Sequence, residues 1–350
     1  MVSRNKEDYI CLTPFGYTEV FDKKQYLCCP GWLREDVYET ENIKENFFSD
    51  KSNKIRKTII DGEYSYCDSK QCPHLQELKR GKFIDGRLVP RTKENIDKYT
   101  KNFTLNMVNF CFDRSCNLQC PSCRLEMINY LGKDRDDVEE KLRQVEEEIS
   151  PTIKKLYLSG SADPFYSKSF RQFLINFDPK NYPNLQHIHL HTNAILWTPQ
   201  LWDRMKNIHK FVKIAEISID AATKDTYENK VRLGGEWDKL TKNLEFITNI
   251  PTIDNLIFSF VTQDSNYNEM LDFCNFIYSY KGLEGRNYNI FFNHITNWGT
   301  YTEEEYKKKD VSRKDHPEYS QFVNMVKSIN GKNKVTHNFT HILDENKSIL

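Results

Sequence analysis

Residues 113–124 read DRSCNLQCPSCR and place three cysteines, Cys116, Cys120 and Cys123, on one short stretch. An odd trio cannot close into disulfides, and a closed zinc site needs a fourth ligand. Several thiolates on a short loop suit thiophilic metals, which means zinc or an iron–sulfur cluster. A cubane cluster held by three cysteines keeps one iron open, and an open iron binds a small chelating ligand. The trio therefore asks for a partner that the loop does not supply.

The chain has ten cysteines, and they fall into groups. Cys11, Cys28, Cys29, Cys67 and Cys72 come early, Cys111 shortly precedes the trio, and Cys274 stands alone. The start, MVSRNKEDYI, has no apolar run of a secretory signal, and no stretch approaches the roughly 20 apolar residues of a membrane helix. A cytoplasmic, reducing location with no membrane partner is the expectation, and thiols there serve as metal ligands more often than as disulfides. Lysine plus arginine balances aspartate plus glutamate at 50 each, so nothing suggests a nucleic-acid partner. The short basic group Lys307–Lys309 reads as solvated surface.

The elements that must carry these groups follow from periodicity. LNMVNFCF (105–112) reads as a strand running directly into the thiol loop, followed by a helix to about 149. KKLYLSG, HIHLHTNA, KIAEISID, NLIFSFVTQ and YNIFFNHIT read as five more strands, alternating with amphipathic helical stretches. Strand–helix alternation of this kind means a parallel sheet with helices outside. The expected fold is α/β, a partial (β/α)6 TIM-like barrel over residues 101–350, whose charged segment after residue 300 closes the mouth. Before it lies a small cysteine-rich module over residues 1–100, joined through the polar stretch KRGKFIDGRLVPRTKENIDKYTKN. In such barrels the functional groups gather at the C-terminal ends of the strands, where the thiol loop would sit.

A CxxxCxxC loop after the first strand of a partial barrel resembles the radical S-adenosylmethionine (SAM) enzymes. The resemblance implies a [4Fe–4S] cluster on Cys116, Cys120 and Cys123, with SAM on its open iron as the missing partner. It also implies reductive cleavage of SAM to a 5′-deoxyadenosyl radical that abstracts hydrogen from a substrate carbon. LSGSADPF resembles the family's glycine-rich segment, which points to Gly160 and Ser161. The usual form is Gly-Gly-Glu, so only the backbone part of that role carries over. TNA matches at Asn193, and SID matches the ribose and carboxylate contact at Ser218 and Asp220. TYENKVRLGGEWDKLTKNLEFI resembles the following helix, whose arginine, here Arg232, reaches the SAM carboxylate. Alternation independently places Ile214, Glu216, Ser218 and Asp220 on one face of the fourth strand, and a polar face inside a barrel needs a ligand or partners to satisfy it.

The early cysteines resemble the SPASM-type extension, displaced to the N-terminal side of the barrel. YTEVFDKKQYLCC reads as a hairpin presenting a cysteine at its end. The resemblance implies an auxiliary [4Fe–4S] cluster on Cys11, Cys28, Cys67 and Cys72, with Cys29 as the alternative to Cys28. Four thiolates suit zinc equally well.

His187, His189 and His191 share a strand face with Asn193 and read as packing or substrate contacts rather than metal ligands. Cys111 reads as structural and Cys274 as a core thiol. Asp163, Glu216, Asp264 and His294 are candidate acid–base or hydrogen-donor groups at strand ends. The expected enzyme oxidises, epimerises or cross-links a peptide, a sugar or a small metabolite, and draws electrons from a flavodoxin- or ferredoxin-like donor. The rival reading is a non-catalytic electron carrier or a zinc-stabilised binding module.

Overall fold

The computed structural model describes residues 5–21, 23–33, 38–39, 41–79 and 86–345. The architecture is mixed α/β with a large parallel sheet, and two compact units divide the chain. The first unit comprises Met1–Arg114, Tyr130–Ser161 and Asp178–Ile188; the second comprises Ser115–Asn129, Ala162–Phe177 and His189–Leu350.

In the first unit the strands are β1 (Tyr9–Cys11), β2 (Tyr17–Phe21), β3 (Lys24–Tyr26), β4 (Tyr38–Glu39), β5 (Leu88–Pro90), β6 (Met107–Cys111) and β7 (Lys155–Leu158). The hairpin expected at YTEVFDKKQYLCC is present: β2 and β3 pair antiparallel, with Phe21 opposite Lys24. β2 also pairs in parallel with β6, with Glu19 opposite Asn109 and Phe21 opposite Cys111. β6 pairs in parallel with β7. The early hairpin is thus built into the same sheet as the first strand read as barrel, a pairing that no local pattern in the sequence reveals. β1 and β5 form a separate antiparallel pair. The polar stretch read as a connection carries β5 and a helix over Lys93–Lys101, and its residues 80–85 lie outside the described ones. A small apolar core of Ile10, Phe15, Ile59, Tyr64, Cys72 and Leu75 holds these pieces together, with Cys11, Cys67 and Trp32 packed against it.

The strand β8 (His187–Thr192) begins in the first unit and continues in the second, which also holds β9 (Val212–Ser218), β10 (Asn255–Thr262), β11 (Tyr288–His294) and β12 (Val335–His337). Their order is β8-β9-β10-β11-β12, and the pairs from β9 to β12 are parallel. All six strands read from the sequence are present, and β12 is an addition that its three residues hid. Burial alternates as the pleat demands. On β8 and β9, Ile188, Leu190, Ala215 and Ile217 are buried, whereas His189, His191, Glu216 and Ser218 are half-buried. One face packs under helices such as Trp237–Ile247 and Met270–Tyr278, each burying an apolar stripe. The other face stays polar and partly open. Cys274 is fully buried in the second of those helices, as a core thiol would be.

Candidate functional site

The thiol loop lies in the second unit, and each of its three sulfurs meets a side-chain N–H. Asn193 Nδ2 lies 3.7 Å from Cys116 Sγ, Arg232 Nη1 3.5 Å from Cys120 Sγ and Arg124 Nη2 3.5 Å from Cys123 Sγ. Cys116 and Cys120 are buried. Burial pushes the Cys116 thiol up to about 12, reinforced by the Asp163 charge and opposed by Arg124. Burial likewise raises Cys120 against the pull of Arg232. Buried thiols left alone stay protonated and have little use for donors. Three sulfurs that each face an N–H, two of them from guanidinium groups, suit thiolates held on iron. This donor set fits the cluster that the sequence implied.

Local backbone fixes the loop. Cys116 N donates to Ile128 O, Gln119 N to Leu233 O, and Cys123 N to Cys120 O. Gly234 adopts a positive φ of 84°, and a Cβ there would stand 3.5 Å from Asn117 O. Glycine suits this position because its left-handed backbone is strained for other residues.

Asp163 works as a clamp rather than as a free acid. The fully buried carboxylate accepts from Thr192 Oγ1 at 2.7 Å, Asn193 N at 2.9 Å, Phe165 N at 3.0 Å and Tyr166 N at 3.2 Å. Burial raises its carboxyl, and these four donors oppose the rise. The clamp positions Asn193, whose Nδ2 also reaches Asn117 Oδ1 at 2.9 Å. Nothing in the sequence separates this role from that of a catalytic acid, because both use an aspartate at a strand end.

Asp220 does not continue the pleat of β9, which ends at Ser218. It has a positive φ of 64° and is buried. Its carboxylate pairs with Arg232 Nη2 at 2.7 Å and accepts from Val261 N at 2.7 Å. Burial raises the Asp220 carboxyl; the guanidinium and the Val261 N–H oppose it, and an always-charged arginine keeps the pair ionic. Asn266 Nδ2 donates to Asp220 O at 2.8 Å, and the Glu269 carboxylate accepts from Ala222 N, Thr223 and Thr226. Asn266, Glu269 and Arg124 escaped the sequence reading. Only Arg124 carried a signal, as a cation directly following a loop cysteine.

The open face of β8, β9 and β10 carries a second polar set. His191 Nε2 lies 2.8 Å from Ser218 Oγ and 4.0 Å from Glu216 Oε1, and His189 Nε2 lies 3.7 Å from Glu216 Oε2. Ser259 donates to Glu216 Oε1. Burial alone would raise the Glu216 carboxyl; His191, the Ser259 hydroxyl and His189 outweigh it and hold it below the usual range. Of the remaining acid–base candidates, Asp264 is tied to Lys309 Nζ at 3.0 Å, and His294 is exposed beside Asn338. The three-residue group Lys307–Lys309 is accordingly only partly free surface.

In the first unit, Gly160 is exposed and Ser161 is buried, its hydroxyl donating to Cys111 O at 2.9 Å. Cys111 lies fully inside, its thiol 3.4 Å from Asn109 Oδ1, in a buried set with Tyr17 and Glu19. The same unit brings Cys11, Cys28, Cys67 and Cys72 to the wall of one cavity of about 20 Å³, with Trp32, Tyr64 and His74 among its other lining residues. Cys29 is not part of that wall. Burial pushes Cys28 far up, helped by the thiols of Cys11 and Cys72, while Cys29 is raised to about 12 by burial and by Glu19. The two neighbours therefore face different surroundings. Backbone N–H groups of Leu75 and His74 and the charge of Arg87 counter the burial of Cys72. Among the described residues, no three His, Cys, Asp or Glu side chains form a ready ligand set for one metal ion. No described helix is long and apolar enough to cross a membrane.

Residues 111–277 match the family model described as the Radical SAM superfamily, a domain that contains the thiol loop and every strand from β8 to β10. No curated protein matches the chain. Among solved structures, native anSMEcpe with bound AdoMet is 18% identical, with a TM-score of 0.45 over 67% of this chain and 63% of that one. Streptococcus suis SuiB bound to S-adenosylmethionine is 12% identical, with a TM-score of 0.43 over 84% and 63%. TYW1 with a lysine-pyruvate adduct bound is 12% identical, with a TM-score of 0.37 over 64% and 71%. The chain thus spans 63% of the anSMEcpe and SuiB chains it matches.

Proposed function

We propose that this protein is a radical SAM enzyme, with Cys116, Cys120 and Cys123 holding a [4Fe–4S] cluster. The observation that carries this reading is the three-sulfur loop with a side-chain N–H at every sulfur. With the cluster and SAM bound, reductive cleavage supplies a 5′-deoxyadenosyl radical that takes hydrogen from a substrate carbon. The chain's own residues position that chemistry. Gly160, Ser161, Asn193, Ser218, Asp220 and Arg232 are assigned to SAM. Arg232 has a division of labour open to it, since its Nη groups serve Asp220 and Cys120 while its buried Nε has no hydrogen-bond partner among the described residues.

We assign the polar face of His189, His191, Glu216 and Ser259 to the substrate, a peptide, a sugar or a small metabolite. The N-terminal cavity is assigned an auxiliary [4Fe–4S] cluster on Cys11, Cys28, Cys67 and Cys72, a reading supported by the four cysteines lining one cavity. An auxiliary cluster suits an oxidative outcome, in which the substrate radical gives up an electron. A flavodoxin- or ferredoxin-like donor in a reducing cytoplasm would supply the electron that starts each turnover.

The test is made on protein purified and reconstituted without oxygen. Iron and sulfide are quantified, then SAM and a strong reductant are added and 5′-deoxyadenosine is measured. The reading expects about eight irons per chain, two [4Fe–4S] clusters, and deoxyadenosine formation. Clusters that never cleave SAM would make the protein an electron carrier, and zinc without iron would make it a binding module.

A further inference from the structure

A cleft of about 820 Å³ lies in the first unit, at the N-terminal ends of β6 and β7. Met107, which opens β6, lines it, and so does Lys154, which directly precedes β7. Cys111 closes the opposite end of β6, and no residue of the thiol loop borders the cleft. Three lysines line it, Lys98, Lys101 and Lys154, and no aspartate or glutamate does. All three are exposed.

Two of these lysines have carboxylates at helical spacing. On the helix over Lys93–Lys101, Glu94 precedes Lys98 by four residues and Asp97 precedes Lys101 by four. A carboxylate four residues before a lysine is the favourable order for a helical ion pair. Neither pair forms, and among the described residues none of the three lysines has an ion pair. Lys98 Nζ lies instead 5.2 Å from the centre of the Tyr99 ring. Lys154 comes from a separate segment, so three positive charges converge on one cleft with no counter-charge in its wall. Like charges gathered in this way repel one another, and an anion between them removes the repulsion.

The wall between the lysines is not polar throughout. Leu12, Phe15 and Met107 supply apolar surface, and Tyr99 supplies a ring. Backbone bonds hold these parts in register: Asn106 N donates to Gly16 O at 2.9 Å, and Lys154 N donates to Asn106 O at 2.8 Å. Asn184 Nδ2 donates to Pro151 O at 2.7 Å and braces the segment that carries Lys154. A Cβ at Gly16 would stand 3.0 Å from Asn106 Oδ1, so glycine there leaves room for the Asn106 amide, which also lines the cleft. The volume falls within the roughly 300–1,000 Å³ of small-molecule sites, whereas a protein partner needs a broad face of about 800 Å².

We propose that this cleft binds a nucleoside polyphosphate, with its phosphates among Lys98, Lys101 and Lys154 and its ring system on Tyr99 and the apolar wall. Lysine serves phosphate as a point charge, and three of them answer a ligand with several negative charges. The apolar wall asks for a body that inorganic phosphate lacks. The site is separate from the thiol loop and stands whether or not that loop holds a cluster.

The experiment uses the full chain and N-methylanthraniloyl ATP, with binding read by fluorescence anisotropy and unlabelled compounds as competitors. Binding should saturate, and ATP should displace the probe, pyrophosphate more weakly and adenosine not at all. Lys98→Gln, Lys101→Gln and Lys154→Gln should each weaken binding about tenfold, the size of one lost charge-assisted hydrogen bond. The double variant Lys307→Gln/Lys308→Gln removes two lysines from a different cleft and should bind as the parent does. Unchanged thermal melting of each variant separates a lost contact from a lost fold. Absence of saturable binding, or binding indifferent to the first three substitutions, overturns the proposal. An equal loss in the double variant overturns it too, since general surface charge would then hold the probe. Pyrophosphate as strong as ATP overturns it because the apolar wall would contribute nothing. A polyglutamate peptide that competes better than ATP overturns it in favour of an acidic protein partner.

Discussion

The thiol loop draws Cys116, Cys120 and Cys123 from one short stretch, whereas the N-terminal cavity gathers Cys11, Cys28, Cys67 and Cys72 from separate segments. Their surroundings differ as much as their construction. Every loop sulfur meets a side-chain N–H, two of them from arginines, while the cavity wall is mostly apolar, with His74 and Arg87 at one side. A site with three ligands and charged donors suits a cluster that must take a further, polar ligand. A site with four ligands and an apolar wall suits one that is closed and exchanges only electrons. On the proposed reading the same residue type would serve two purposes, and its neighbours would decide which.

The sharpest way to break this contrast is Cys120→Ala. It should abolish deoxyadenosine formation and remove about half of the iron, the four atoms of one [4Fe–4S] cluster, while leaving the N-terminal cluster in place. Unchanged SAM cleavage would show that the loop is not the reacting centre. Next in size is the pair Cys28→Ala and Cys29→Ala. The first should cost the N-terminal iron and the second should keep it, as read by iron counting and visible absorption, and equal losses would contradict the separate surroundings of the two thiols.

A structural effect follows. Asp220→Ala leaves the buried Arg232 guanidinium without its carboxylate, a loss of about 3–5 kcal/mol for a buried pair. Denaturant unfolding should show it, and a loss under about 1 kcal/mol would mean that the pair is not a buried one. The smallest effect concerns Glu216, whose carboxyl sits below its ordinary value of 4.5 in the folded protein. A depressed carboxyl contributes stability above its unfolded pKa, and that contribution is lost as pH falls through the folded value. Glu216→Gln should therefore melt lower than the parent near neutral pH, by about 1 kcal/mol in stability. The gap should close as pH falls below 4.5, and calorimetry that finds it still open well below that value would reverse the assigned sign.

The loop was legible because its chemistry is local. The spacing of Cys116, Cys120 and Cys123 and the strand before them lie in one continuous reading frame, and the alternation along KIAEISID predicts the half-buried Glu216 and Ser218. Asn193 could be found by motif resemblance, and it does reach the loop. Asp163 could be placed at a strand end, but its role as a clamp depends on Thr192 and Asn193, which are distant in sequence. Arg232 was read as a SAM ligand alone, since its pairing with Asp220 depends on a left-handed backbone that the pleat pattern does not foresee.

The sequence by itself determined the parallel α/β class, the six strands from Met107 to His294, the three-sulfur loop and the polar face beyond it. Hydrophobic periodicity and ligand spacing are properties of short segments and survive without a partner. Only the tertiary structure decided that β2 joins β6 in the sheet and that Cys28 rather than Cys29 faces the cavity. Each of those depends on pairing between segments far apart in the chain. A sequence states what each segment can bury or donate, and packing alone states to whom.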